Sequence, residues 1–480
     1  MVVTNDWFTA LIPAYNRSGA FGEVFRGTKF LHIFHNLQEA YEGRLWPLPQ
    51  EGTLEYIHQL DPDYLVDPYI RPVVVNPSRC AIKASDQWAT VSPSYLREIL
   101  DTSPLAYLLK MHPKPFAFPN GIPVEARVKK LRDQAGTDHF AAKLKLQQKY
   151  FKFQELDDSI PVFAFVGRIV AQKGVHLIYE AAEHLITKYG GKLQIIVGGP
   201  ANRKDPYAAR CAVELENLSK RFPGSFWSAP NEFFMDGSIV NLGADFGMMP
   251  SAFEPGGIVQ HEFFVGGTPV IAFKTGGLKD SVFEFKWDTN KGNGFLLENH
   301  SRGDFIYAVE RAIGTFIKKD KYKILRENAF KSTMDGATVT KAWCKEFYRL
   351  KNKFFSESCG EAEEAKIPKD WNFEKFNDSY VDEYIYRNFV ATSDSAKALD
   401  HEVKFEPLTE IIKRQSETVP TTFQFNMGNR RVGCVLITGE FDGWKSKQKL
   451  NYDYSTNTWY LTLNLKKGKY LYQNSVINCL

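Results

Sequence analysis

Cysteine is sparse and never clustered. Cys80, Cys211, Cys344, Cys359, Cys434 and Cys479 offer no close pair, which argues against a disulfide framework or a zinc-binding cluster and for a reducing compartment. Long apolar runs are missing too. Nothing approaches the ~18 consecutive apolar residues of a membrane span, and the opening Met1-Val-Val-Thr-Asn-Asp-Trp7 lacks the charged-then-apolar order of a secretory signal. A cytoplasmic location is expected, with a plastid open if an upstream segment is missing. Neither sign of charge is in excess: 60 Lys and Arg against 56 Asp and Glu leave +4. That is too little for the broad basic field that nucleic acid or an acidic membrane requires, so neither partner is expected and any anion site must be local. Internal repeats and extended low-complexity tracts are absent. What remains is an ordinary globular composition, 44% hydrophobic and 24% charged over 480 residues, enough for roughly three domains at about 150 residues each.

Regions of different character follow one another. Residues 1–140 mix short apolar runs (Phe30-Leu-His-Ile-Phe34, Ala89-Thr-Val91, Pro115-Phe-Ala-Phe-Pro119) with Pro-rich turns, as buried strands ending in functional loops do. Residue 2 already reads as strand interior, so this domain is expected to be incomplete at its start. From Pro161 the alternation sharpens into strand 162–166, a helix over 175–189 and strand 192–197. The helix carries Val175, Ile178, Ala181, Ala182, Leu185 and Ile186 on one stripe, and Gly198-Gly199-Pro200 closes the strand. Strand 243–249, a helix starting near Gly256 and strand 268–273 continue the pattern. Residues 157–335 are therefore expected to form a doubly wound parallel α/β domain with ligands at the carboxyl ends of its strands. A helix over 336–355 is expected to pack back on the core, and 356–415 to be a charged linker. Residues 416–480 read as a small β module, incomplete at its end.

Three successive strand ends carry loops suited to phosphates or hydroxyls. After strand 162–166 comes Gly167-Arg168-Ile-Val-Ala-Gln-Lys173-Gly174, where two cations flank a glycine-punctuated loop and can converge on a pyrophosphate; the alternative is two solvated surface cations. After strand 243–249 comes Phe253-Glu254-Pro255-Gly256-Gly257-Ile258-Val259, whose glycines let a ligand approach the first amides of the next helix. Glu254 and Glu262, about two helical turns apart, are able to bind two hydroxyl-bearing parts of one ligand. Their plainer readings are a capping glutamate and an exposed helix carboxylate. Thr275-Gly276-Gly277-Leu278 is the third loop, expected beside the second. A ligand with a diphosphate and several hydroxyls, such as a nucleotide sugar, satisfies all three.

In combination these loops resemble the donor-site motifs of the glycogen and starch synthase family. Asn5-Asp-Trp-Phe-Thr-Ala10, His35-Asn36-Leu37, Val91-Ser-Pro-Ser-Tyr95 and Asn120-Gly121-Ile122 follow the family's order, so the resemblance spans about residues 1–350. It implies two Rossmann-like domains of the GT-B type, the first on the acceptor side. The implied reaction is transfer of glucose from ADP-glucose or UDP-glucose to the 4-hydroxyl at a non-reducing α-glucan end, with retention and with no metal or other cofactor. By the same resemblance Arg168 and Lys173 neutralise the leaving diphosphate, and Glu254 holds the glucosyl hydroxyls. The amides of Gly257, Ile258 and Val259, beside Gly256, face sugar and phosphates, with Thr275, Gly276, Gly277 and Asn120 also on the substrate. Glu262 takes the ribose, and His35 meets the sugar near its 6-hydroxyl from the opposite domain.

The chain departs from the family in several places. It begins after the family's Lys-x-Gly-Gly-Leu loop, Gln38-Glu39-Ala40 intervenes before Tyr41-Glu-Gly43, and Pro123 stands where Asp commonly follows Asn-Gly-Ile. The missing opening motivates a second reading, a non-catalytic glucan-binding protein or a truncated, inactive synthase fragment. The tail, with Val435-Leu-Ile-Thr-Gly-Glu-Phe-Asp-Gly-Trp444, resembles starch- and glycogen-binding modules, which implies that Trp444 stacks on a glucose face. Trp459 reads as core. Asp61-Pro62-Asp63 reads as a turn rather than a metal-binding pair, and His32 and His261 as packing or surface residues.

Overall fold

The computed structural model describes residues 1–46, 58–70, 74–112, 114–356, 418–426, 434–439, 448–453, 458–466 and 472–477. The chain divides into two units, Met1–Asp394 and Ser395–Leu480.

The larger unit holds two parallel sheets. In the first, β1 (Val2–Asn5), β2 (Phe30–Phe34), β3 (Gln87–Thr90) and β4 (Phe116–Ala117) lie side by side in chain order. β2 is buried at every position, which is why its sequence runs apolar without alternation. The second sheet comprises β5 (Val162–Val166), β6 (Gln194–Gly198), β7 (Phe226–Ser228), β8 (Phe246–Met249), β9 (Val270–Phe273) and β10 (Gly294–Leu297), in the order β10-β9-β8-β5-β6-β7. The chain moves outward from β5 to β7, then restarts on the other side of β5 with β8. The carboxyl ends of β5 and β8 therefore flank the crevice where doubly wound sheets bind ligands. Two Rossmann-like bodies with a small antiparallel β unit are the expected fold class, and the structure has it.

Helix Val175–Lys188 buries all six residues of the expected stripe, against Phe163, Phe165, Ile195 and Val197 of β5 and β6. Two expected boundaries move for local reasons. β8 begins at Phe246 rather than 243 because Gly237–Gly243 completes a helix. The next helix begins at Val259 because Gly257, at φ +69°, is left-handed and interrupts it.

The two bodies are joined twice. The outgoing chain passes through helices Val124–Gln134 and His139–Phe151. On the return, Ile122 N donates to Met334 O at 2.9 Å and Gly336 N to Ile122 O at 2.7 Å, so the two crossings run side by side. Helix Gly336–Ser356 then covers the first sheet, with Leu350 buried against Leu31, Ile33 and Ala89.

The outgoing helix is pinned to the second body by a buried charge. Asp245 accepts hydrogen bonds from Val162 N at 2.8 Å and Tyr322 Oη at 2.6 Å. Lys143 Nζ, itself buried, lies 2.9 Å from its carboxylate without hydrogen-bond alignment, and His139 Nε2 lies at 3.3 Å. Burial alone would raise the Asp245 pKa; Lys143, His139 and Tyr322 outweigh it and hold the group well below the carboxylate range.

In the smaller unit, β11 (Thr418–Asn426), β15 (Thr458–Lys466) and β14 (Asn451–Asp453) form one antiparallel sheet. β13 (Gln448–Lys449), β12 (Cys434–Gly439) and β16 (Tyr472–Ile477) form another. Trp459 is buried, its ring 5.0 Å from that of Tyr452. Trp444 and the charged stretch beyond Ser356 lie outside the described residues. Among those described, no helix is long and apolar enough to cross a membrane. Asp61 caps the short helix Pro62–Leu65, accepting from Asp63 N.

Asp245→Asn should destabilise the larger unit by about 3–5 kcal/mol at neutral pH, because Lys143 is left buried without a counter-charge; urea unfolding followed by tryptophan fluorescence measures this. A depressed carboxylate contributes stability that is present above its ordinary value of 3.8 and lost on acidification below it. The variant's urea midpoint should therefore fall less steeply than the native chain's below about pH 4.

Candidate active site

The loops after β5 and β8 are stitched together by main chain. Gly174 sits at φ +64°, and a Cβ there would lie 1.9 Å from Pro250 O, so no other residue fits the contact. Ala252 N donates to Gln172 O at 2.9 Å, and Gln172 Nε2 donates to Phe253 O at 2.9 Å. These bonds bring Lys173 Nζ within 2.5 Å of Glu254 Oε2. Glu254 is only 8% exposed, so its charge needs this neighbour. Arg168, in the same loop after β5, is exposed and has no partner among the described residues.

The second glycine turn presents amides. Those of Gly257, Ile258 and Val259 find no acceptor among the described residues, as expected at the start of a helix. The third turn differs from expectation. A Cβ on Gly276 would lie 2.1 Å from Glu254 O, and one on Gly277 2.1 Å from Gly256 O, so these glycines serve backbone packing against the second turn. Their amides are taken as well: Gly276 N donates to Glu98 Oε1 at 2.9 Å, and Gly277 N to Glu254 O at 2.9 Å. Thr275 is buried beside them. The third turn buttresses Glu254 rather than offering free N–H groups.

From the first body, Asn120 reaches this turn, its amide nitrogen 2.7 Å from where a Cβ on Gly256 would stand. The Tyr95 ring lies 5.4 Å from that of Phe253. His35, exposed at the end of β2, is positioned within its own sheet: its backbone N donates to Asp6 Oδ1 at 2.7 Å, and its Nε2 lies 3.1 Å from Asn5 Oδ1. Asp6 adopts φ +47°, an uncommon value for aspartate that its acceptor role rationalises. Among the described residues His35 makes no contact with the three loops.

Glu262 does not join Glu254. Arg127 Nη2 lies 2.8 Å from its carboxylate, and both line a cavity of about 310 Å³ with Lys130, Gln134, Phe234 and Met235. Sequence reasoning missed Arg127, Glu98, Ser94 and Asp280. Arg127 had a signal, since Val124, Val128, Leu131 and Ala135 after Pro123 repeat at helical spacing. Ser94 lay within the Val91–Tyr95 motif without a role of its own, and Glu98 and Asp280 had no signal, because their partners are far away in sequence.

Two Rossmann-like bodies with cationic and amide-rich loops at the switch point define a nucleotide-sugar-dependent glycosyltransferase. Residues 1–111 match the starch synthase catalytic domain, 147–332 the glycosyl transferases group 1, and 419–478 the glycogen recognition site of AMP-activated protein kinase. A glycogen synthase from Finegoldia magna is 28% identical, covering 72% of this chain and 71% of its own length. One from Lacticaseibacillus casei is 28% identical, with 74% and 73% covered. The catalytic domain of starch synthase IV from Arabidopsis thaliana, bound to ADP and acarbose, has the same fold. Its TM-score is 0.58 at 23% identity, over 74% of this chain and 72% of that one. Over most of its length the chain is similar to glycogen and starch synthases. Similarity over this much of the chain does not favour the non-catalytic alternative.

Gly174→Ala should cost more than Gly190→Ala. Both positions have nearly the same positive φ, but Gly190 faces open space while Gly174 faces a carbonyl oxygen. The strain common to both is about 1–2 kcal/mol, and only Gly174→Ala should add a further ~1–3 kcal/mol from overpacking, read as the difference in urea midpoints.

Proposed function

We propose that this chain transfers glucose from ADP-glucose or UDP-glucose to the non-reducing end of an α-1,4-glucan with retention of configuration. In this reading residues 157–335 bind the donor and 1–140 the acceptor. The observation that supports it is the Lys173–Glu254 pair and the open 257–259 amides at the β5/β8 crevice, with exposed Arg168 in the loop after β5. Without ligand, Lys173 neutralises Glu254. An incoming diphosphate offers Lys173 and Arg168 a stronger partner, and the carboxylate thereby released accepts from glucosyl hydroxyls. As the bond from sugar to phosphate breaks, charge grows on the leaving diphosphate, where two fixed cations and the amides stabilise it. His35 approaches the sugar from the other body, and Asn120 steadies the turn at Gly256.

Glu262 faces the nucleoside in this reading. The 310 Å³ cavity beside it, with Phe234 and Met235 on its wall, supports a base and ribose in that place. Exchange of Arg127 for a ribose hydroxyl as the partner of Glu262 would accompany binding. The relatives' names are glycogen synthase, and the Arabidopsis structure holds ADP.

Incorporation of labelled glucose into glycogen, with both donors offered, tests the proposal; no incorporation from either removes it. Arg168→Ala should lower kcat by about 100- to 1,000-fold, the usual effect of deleting a donor to developing negative charge. Trp444→Ala should weaken retention of the protein on glycogen, by the ~1 kcal/mol of one stacked ring, while leaving kcat on short malto-oligosaccharides unchanged.

A further inference from the structure

Helix Pro93–Thr102, in the first body, and helix Gly276–Ser281, in the second, are joined by a reciprocal pair of caps. Near the start of the first, Ser94 N and Ser94 Oγ donate to the Asp280 carboxylate at 2.9 and 2.6 Å. One turn later on the same helix, Glu98 Oε1 accepts from Gly276 N at 2.9 Å. Each helix thus supplies an acid that satisfies an orphan amide of the other's first turn. The acid stands four residues after the amide on both, so the helices lie antiparallel with their first turns engaged.

The same two turns touch both sides of the crevice. Tyr95 Oη accepts from Leu37 N at 2.6 Å, next to His35, while its ring packs on Phe253, next to Glu254. Beyond Gly276, Gly277 N holds the Glu254 carbonyl. A continuous path of hydrogen bonds and one ring contact therefore runs from the His35 loop through helix 93–102 to Glu254. Its polar part is half-buried, and burial raises the Glu98 pKa against the lowering effect of the Gly276 amide.

We infer that Glu98 and Asp280 form a clamp between the two bodies, and that Glu98 is a positioning residue which sets Glu254 opposite His35 without touching substrate. The inference rests on the proposed transfer reaction for its kinetic arm only. A displacement of about an ångström between reacting groups costs on the order of a hundredfold in rate, whereas the groups proposed to hold the nucleoside diphosphate, Arg168, Lys173, the 257–259 amides and Glu262, make no hydrogen bond to Glu98 or Asp280. Loss of the clamp should therefore reduce kcat and spare nucleotide affinity.

The test compares Glu98→Ala with Glu98→Gln, whose side-chain carbonyl still accepts from Gly276. Expected are a fall in kcat of about tenfold or more for Glu98→Ala, ADP and UDP dissociation constants unchanged in both variants, and near-native kcat for Glu98→Gln. Amide hydrogen exchange over 276–281 should quicken in Glu98→Ala and not in Glu98→Gln. Native kcat in Glu98→Ala, or a loss of nucleotide affinity matching the loss of kcat, overturns the clamp. Should the native chain transfer glucose from neither donor, the proposed function fails and the exchange arm decides alone: unaltered exchange over 276–281 in Glu98→Ala then overturns the clamp as well.

Discussion

The site depends on main chain lying against main chain. At Gly174 the first loop rests on the carbonyl of Pro250, and at Gly276 and Gly277 the third loop rests on the carbonyls of Glu254 and Gly256. The middle loop is thus gripped from both sides at distances that exclude any side chain. Glu254 is held at two points, its carbonyl by Gly277 N and its carboxylate by Lys173. Its position follows from backbone contacts, which are stiffer than the rotamers of long side chains. The proposed role of Glu254, gripping several hydroxyls in one orientation, needs that stiffness.

The charges of the site are local and already balanced. Lys173 faces Glu254 and Arg127 faces Glu262, while Arg168 stands without a partner among the described residues. Because a half-buried charge stripped of its partner is costly, each carboxylate stays paired until a ligand offers something equivalent. In the proposed reaction, donor binding would exchange partners rather than create charge pairs from nothing. A net charge of only +4 over the chain agrees with a site that recruits its ligand at short range.

Folding of the larger unit and geometry of the site share supports. The buried Asp245 group ties the outgoing helix to the start of β8, and β8 ends in the loop that carries Glu254. The paired crossings at Ile122 and Met334 to Gly336 hold the Asn120 segment near Gly256.

The strands, the 175–188 helix and the three loops were legible in the sequence because each depends on residues close together in the chain: apolar runs, helical spacing, and glycines where a strand must turn sharply. Trp459 as core followed from strand alternation in the same way. Which amides stay open was not legible. Gly276 meets its acceptor 178 residues away, so the amides of 276 and 277, residues expected on the substrate, are occupied while those of 257 to 259 remain available. Likewise Glu262 faces Arg127, although its spacing from Glu254 suggested a shared ligand. Local chemistry determined that anion-competent loops would form. Only the packing of the two bodies, which brings carboxylates and cations from distant segments onto those loops, decided which groups are left for a substrate.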